Sequence, residues 1–172
     1  STGYEVDFGA QMKYEEFLRA KKHSSGDYGF DPIWMPPSVF DFQEAIITKC
    51  IKKGRYGAFA DTGLGKTLVQ LALAYNAVLK TNKRVLILTP LAVAFQFLNE
   101  AERIGVDDIE QSKDGKFTKK IVVANYERLH LFNPEDFECV MLDESSILKN
   151  FQGSTRDAIV AFIKKVKYRF LS

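Results

Sequence analysis

Residues 84–90, RVLILTP, are apolar for the length of one strand without alternating with polar positions. A strand with one face in water alternates. A strand that does not must be covered on both faces. The pattern recurs in YGAFA (56–60), at the start of KIVVANYERL (120–129) and in ECVMLDES (138–145), and it begins again in KYRFLS (167–172). Helical stretches separate these runs: GKTLVQLALAYNAVLKT (65–81), LAVAFQFLNEAERIG (91–105) closed by Gly105, and GSTRDAIVAFIKKV (153–166) with Ser154 at the cap. VDDIEQSKDGKFTKK (106–120) is polar, with a turn expected at Asp114-Gly115. Upstream, VFDFQEAIITKCIKKG (39–54) predicts an amphipathic helix from about residue 41. Asp41 serves as its N-cap, Glu44 stands three residues on, and Gly54 is the stop. Strands of this kind joined by helices predict an α/β domain, a parallel sheet with helices on both faces. Ligands of such sheets bind beyond the carboxyl ends of the strands, which directs attention to the residues just after 60, 90, 125 and 142.

The first forty residues have a different character. MKYEEFLRAKKH (12–23) has helix formers with Tyr14, Phe17 and Leu18 on one face, and SSGDYGFDPIWMPPS (24–38) is dense in loop residues. Trp34, Met35 and Val39 need a surface to pack on, so this arm is expected to lie on the domain. The chain of 172 residues carries a net charge of +2, too small to argue nucleic-acid binding from charge alone. The pairs Lys21-Lys22, Lys52-Lys53, Lys119-Lys120 and Lys164-Lys165 read first as solvated helix or loop ends. Cys50 and Cys139 are far apart and form no disulfide framework, so the expected compartment is the reducing cytoplasm. His23 and His130 lack zinc-ligand spacing with them. The longest apolar run (85–98) is broken by Thr89, Pro90 and Gln96 and is too short to span a bilayer, so no membrane partner is expected. The N-terminus has no basic-then-apolar signal pattern.

ADTGLGKT (60–67) follows a strand and opens a helix. Such a turn leaves backbone N–H groups directed into one concavity, to which the helix N-terminus adds partial positive charge. Gly63 and Gly65 let the backbone curl, and with Asp61, Thr62, Leu64 and Leu68 they form the phosphate-binding loop and the helix start behind it. Lys66 suits the β- and γ-phosphates of a nucleotide, and the Thr67 hydroxyl suits a magnesium ion. Ala60 stands where the P-loop pattern has its first glycine.

CVMLDESS (139–146) supplies the complementary half. A nucleotide held this way needs Mg²⁺, which takes carboxylate and water ligands. Asp143, at a strand end, can hold the ion directly or through water. Glu144 can polarise the attacking water for in-line attack on the γ-phosphate. Lys66, Asp143 and Glu144 are therefore the candidate catalytic residues, and Thr67 and Asp143 the candidate metal ligands.

Taken together, these segments resemble the first RecA-like lobe of superfamily-two helicases, and within it the Swi/Snf-like DNA translocases and their phage and prophage relatives. The likeness runs from about residue 40 to the end. DTGLGKT resembles motif I, LTPLAVAFQFLNEAERIG (88–105) motif Ia, ANYERL (124–129) the next nucleic-acid-facing segment, and DESS (143–146) motif II of the DEAD/DEAH type. ILKN (147–150) is similar to the stretch directly after motif II in Swi/Snf-like proteins, and RFLS (169–172) to the opening of motif III. The resemblance implies ATP as the nucleotide, with Gln43 reading the adenine edge. It leaves two roles for Phe40 and Phe42, packing on the base or closing the core. It implies that Pro90, Leu91 and Ala92 meet the phosphates of a tracked strand, and that Asn125 and Tyr126 touch nucleic acid again. Tyr126 has a second role open to it, as a core aromatic. DESS replaces the commoner DEAH or DEGH tail, so no coupling histidine carries over, and Gln96 stands where many relatives have tryptophan.

In these terms residues 1–38 are an N-terminal helix and arm packed on the core, and residues 39–172 are a RecA-like ATP-binding lobe that stops inside motif III. The implied partners are nucleic acid, double-stranded DNA first, and a second RecA-like lobe of the same polypeptide that supplies an arginine finger. Without that lobe, weak nucleotide binding and poor hydrolysis are expected. Three other readings stay open: the motor lobe of a type I or III restriction enzyme, a non-catalytic nucleotide-binding interaction module, and a small-molecule kinase. The intact Lys66, Thr67, Asp143 and Glu144 speak against the module. The acid pair on a distant strand and the absence of a lid segment speak against the kinase.

Overall fold

The computed structural model describes residues 29–37, 39–53 and 66–171. The expected helix over 12–23, the strand over 56–60 and the loop residues Asp61, Thr62, Gly63, Leu64 and Gly65 lie outside the described residues.

The elements run in the order α1 (Asp41–Lys53), α2 (Lys66–Thr81), β1 (Val85–Thr89), α3 (Leu91–Ile104), β2 (Ile109–Gln111) and β3 (Ile121–Asn125). Two short 3-10 helices come next, η1 (Tyr126–Leu131) and η2 (Pro134–Asp136). The chain continues with β4 (Cys139–Leu142), α4 (Glu144–Asn150), α5 (Gly153–Lys164) and β5 (Tyr168–Leu171). The five strands form one parallel sheet in the order β2-β3-β1-β4-β5. The register pairs Thr89 with Asn125 and Leu142 with Leu171, so the carboxyl ends of the four longer strands share one edge.

Every residue of β1, β3 and β4 is buried, as strands covered on both faces must be. Val85, Ile87, Ile121, Val123 and Met141 face a core built with α1, α2 and α3. Leu86, Leu88, Val122, Val140 and Leu142 face a second core built with η1, Ile147 of α4 and the apolar side of α5. Helix α2 is buried around most of its circumference, including Val69, Leu71, Ala72, Ala74 and Ala77. A helix lacking a polar face must be central, and α2 packs against α1, α3 and the sheet.

The segment 29–37 lies on this first core. Buried Asn76 of α2 accepts hydrogen bonds from the backbone N–H groups of Ile33 and Trp34 at 2.7 and 2.9 Å, and its amide donates to the Trp34 and Ala72 carbonyls. The Trp34 ring meets Tyr75 edge-on with centroids 4.8 Å apart.

Four local features depart from the sequence reading. Phe40, not Asp41, occupies the cap of α1, and Gln43 accepts from its N–H at 2.9 Å, the return half of a capping box one residue earlier than Asp41 and Glu44 suggest. Gln152 occupies the cap position of α5, not Ser154, and makes no side-chain bond there. The polar stretch 106–120 contains an edge strand, β2, because partly buried Ile109 pairs with Ile121 beside an otherwise open edge. The strand over 138–145 stops at Leu142, and the chain turns at once into α4. Gly105 does close α3, with φ of 80° and the Val106 N–H reaching back to the Ala101 carbonyl at 2.8 Å.

Candidate nucleotide site and its surroundings

Lys66 opens α2 with no acidic residue in the first helical turn to offset its charge. A cation at a helix N-terminus opposes the helix dipole, so its local placement is unfavourable. The compensation comes from across the fold: Lys66 Nζ donates to Asp143 Oδ2 at 3.2 Å, with the two side chains 37% and 25% exposed. Asp143 stands directly after β4, at the sheet edge where the carboxyl ends meet. Lysine and carboxylate are thus adjacent and open to solvent, as groups that receive a phosphate and its metal must be. Thr67 is half-buried beside Lys66, and Leu68 is buried in the core behind it.

Asp143 also organises the backbone. Its carbonyl accepts from the Ser146 N–H at 3.2 Å, the turn that starts α4, and from the Tyr126 hydroxyl at 3.4 Å. Glu144 is the first residue of α4. Aspartate is a favoured residue immediately before a helix, so Asp143 ahead of ESSILKN was a readable signal for α4 that the apolar run over 139–142 obscured. Arg156 of α5 holds the other end of α4, donating to the carbonyls of Phe151 at 2.9 Å and Leu148 at 3.2 Å. Sequence reasoning had no signal for that contact.

The remaining candidates fall into two groups. Gln43 lies on α1 with its side chain engaged at Phe40, and Phe40 and Phe42 are 68% and 58% exposed. Their rings stack at 5.9 Å with an interplanar angle of 6°. Of the two roles left to these phenylalanines, closing the core is excluded by that exposure. Pro90 caps α3 without a side-chain hydrogen bond, and Leu91 and Ala92 are exposed at the start of that helix. Asn125 is buried and donates to Glu127 Oε2 at 2.7 Å. Tyr126 is only 3% exposed, its ring packed on Phe151 with centroids 5.2 Å apart, so its side chain takes the core role. Exposed Glu127, Arg128 and His130 carry the surface of that segment instead.

Among the described residues no cluster of three or more metal-ligating side chains occurs, and no helix is long and apolar enough to cross a membrane. One carboxylate and one hydroxyl fit Mg²⁺, a hard ion that keeps waters and takes phosphate oxygens, better than an ion that needs a protein cage. If Mg²⁺ binds, Asp143 and Thr67 would be its protein ligands.

A parallel sheet with a lysine at a helix start facing an aspartate at a strand end fits the RecA-like P-loop fold. The DEAD/DEAH box helicase family matches residues 40–172, and the chain belongs to that family. It is a helicase-family ATP-binding domain, a class that works with nucleotide and Mg²⁺. Among solved structures, the UvsW helicase from bacteriophage T4 is similar with a TM-score of 0.56 and 14% identity, over 92% of this chain and 58% of that one. A second structure of T4 UvsW gives 0.56 and 19%, over 94% of this chain and 33% of that one. The SWI2/SNF2 ATPase core of Sulfolobus solfataricus, solved with double-stranded DNA, gives 0.48 and 23%, over 64% and 25%. At these identities the UvsW likeness concerns the fold. No curated protein matches the chain significantly. The chain spans less than two thirds of the length of each of these structures.

Proposed function

We propose that the chain is the N-terminal ATP-binding motor lobe of a DNA helicase or translocase, one that couples ATP hydrolysis to movement on nucleic acid. The observation that supports this reading is the Lys66–Asp143 contact at 3.2 Å, which brings together residues from the two halves of the proposed nucleotide site. In the proposed cycle Lys66 leaves Asp143 for the β- and γ-phosphates and offsets charge developing on the transferred phosphoryl group. Asp143 is then available to hold Mg²⁺ with Thr67, and Glu144 orients the attacking water. Bound magnesium would supply neutralisation of phosphate charge. The sequence ADTGLG (60–65) supports phosphate binding by this stretch, and Gln43 and the exposed Phe40–Phe42 pair receive the adenine.

The start of α3 is the proposed contact with the tracked strand. The helix has no acid in its first turn and no side-chain cap at Pro90, which leaves the Leu91 and Ala92 end electropositive toward a phosphate. A second RecA-like lobe would close over the γ-phosphate, and double-stranded DNA is the proposed polymer.

The test is ATP turnover by the full-length protein carrying this chain, with and without duplex DNA. Lys66→Ala and Glu144→Gln should each lower stimulated turnover by about a hundredfold or more, the scale on which loss of a key transition-state contact acts. Equal turnover in all three proteins removes the assignment.

A further inference from the structure

We infer that Tyr126 is a positioning residue whose hydroxyl fixes the peptide between Asp143 and Glu144 and so sets the geometry of the acid pair for hydrolysis. The inference rests on the ATPase reading above and adds a residue to that site. Tyr126 is the first residue beyond β3, and its hydroxyl donates to the Asp143 carbonyl at 3.4 Å. That carbonyl belongs to the peptide joining Asp143 to Glu144. Its direction therefore sets where both α-carbons stand, one carrying the partner of Lys66 and the other the proposed water-orienting acid. The same carbonyl accepts from Ser146 N–H as α4 begins, so the hydroxyl acts at the hinge between strand and helix.

The ring makes a second connection. It packs on Phe151, just past the end of α4, and the Phe151 carbonyl is held by Arg156 of α5. Tyr126 thus touches both ends of the short helix that starts at Glu144.

The test compares Tyr126→Phe, Tyr126→Leu and Glu144→Gln with wild type in the full-length protein, measuring ATP turnover with saturating duplex DNA across ATP concentrations and thermal unfolding. Tyr126→Phe keeps the ring and removes only the hydroxyl. Its kcat should fall about tenfold while KM for ATP stays within twofold and the melting temperature is unchanged. Tyr126→Leu should lose as much kcat and also melt lower. In Tyr126→Phe, wild-type kcat overturns the inference, as does a raised KM at unchanged kcat or a loss of turnover accompanied by a lowered melting temperature. Full turnover by Glu144→Gln fails the ATPase reading itself, a result separate from any behaviour of Tyr126.

Discussion

Lys66 Nζ meets Asp143 Oδ2 at 3.2 Å although 77 residues separate them in sequence. The pair is partly exposed, so its contribution to folding is small, no more than about 1 kcal/mol. Its proposed role is in binding. Lys66→Ala should therefore leave the melting temperature within about 4 °C of wild type and weaken ATP by about tenfold or more, a loss of ~1.4 kcal/mol or greater. Differential scanning fluorimetry and titration with a fluorescent ATP analogue read the two effects. A large drop in melting temperature with unchanged affinity would make the pair structural.

Asn76 tells the opposite story. It is fully buried and bonds the backbone of Ile33 and Trp34 as well as its own helix. Asn76→Ala strands those backbone groups and should cost about 3 kcal/mol in urea unfolding, since each unsatisfied buried polar group costs roughly 1–3 kcal/mol. A cost under about 0.5 kcal/mol would mean that the arm adds nothing to the fold.

Gly115 has φ of 84°, and a β-carbon there would stand 2.5 Å from the Leu131 carbonyl oxygen. Both the conformation and the backbone contact oppose a side chain. Gly115→Ala should destabilise by about 2 kcal/mol, read as a lowered denaturation midpoint at unchanged slope. The turn was visible in sequence as Asp114-Gly115, and Asp114 Oδ1 does accept from the Lys116 N–H at 2.9 Å. The approach of Leu131 was not visible, because it depends on η1 packing over the turn.

Glu110 on the edge strand β2 accepts from the N–H groups of Thr118 and Lys119, and from the Thr118 hydroxyl. The Thr118 N–H is the main cause that holds its carboxyl below the usual range. A lowered folded-state pKa contributes stability that is complete above the ordinary carboxylate value and lost as pH falls through the lowered one. The stability difference between wild type and Glu110→Gln should therefore be larger at pH 7 than at pH 3 by chemical denaturation. An identical difference at both would show that these bonds do not favour the ionised form.

Cys50 and Cys139 are both buried, and burial pushes the Cys139 thiol well above its ordinary range. Neither should react with a thiol reagent in the native state, and both should react once urea unfolds the chain. Rapid native labelling at either site would contradict the packing of α1 or β4.

The parallel sheet was legible because its strands are apolar on both faces, a pattern few other architectures produce. The sheet edge on which Lys66 and Asp143 meet was implied by strand direction. What was hidden depends on tertiary partners. The 3% exposure of Tyr126 comes from Phe151 and the turn into α4, so ANYERL read equally well as surface or core. Helix α4 was masked because CVML runs straight into its first turn, and β2 because its only warrant is pairing with β3. Gln43 bonds its own helix start in a way that spacing alone does not separate from a ligand contact.

Movement on DNA is the central claim, and ATP-dependent displacement of a third strand from duplex DNA measures it most directly. The full-length protein carrying this chain should release the third strand with ATP and not without it, and Glu144→Gln should release none while still binding nucleotide. Release that is independent of ATP, or equal in Glu144→Gln, would contradict the assignment of this lobe as an ATP-driven DNA motor.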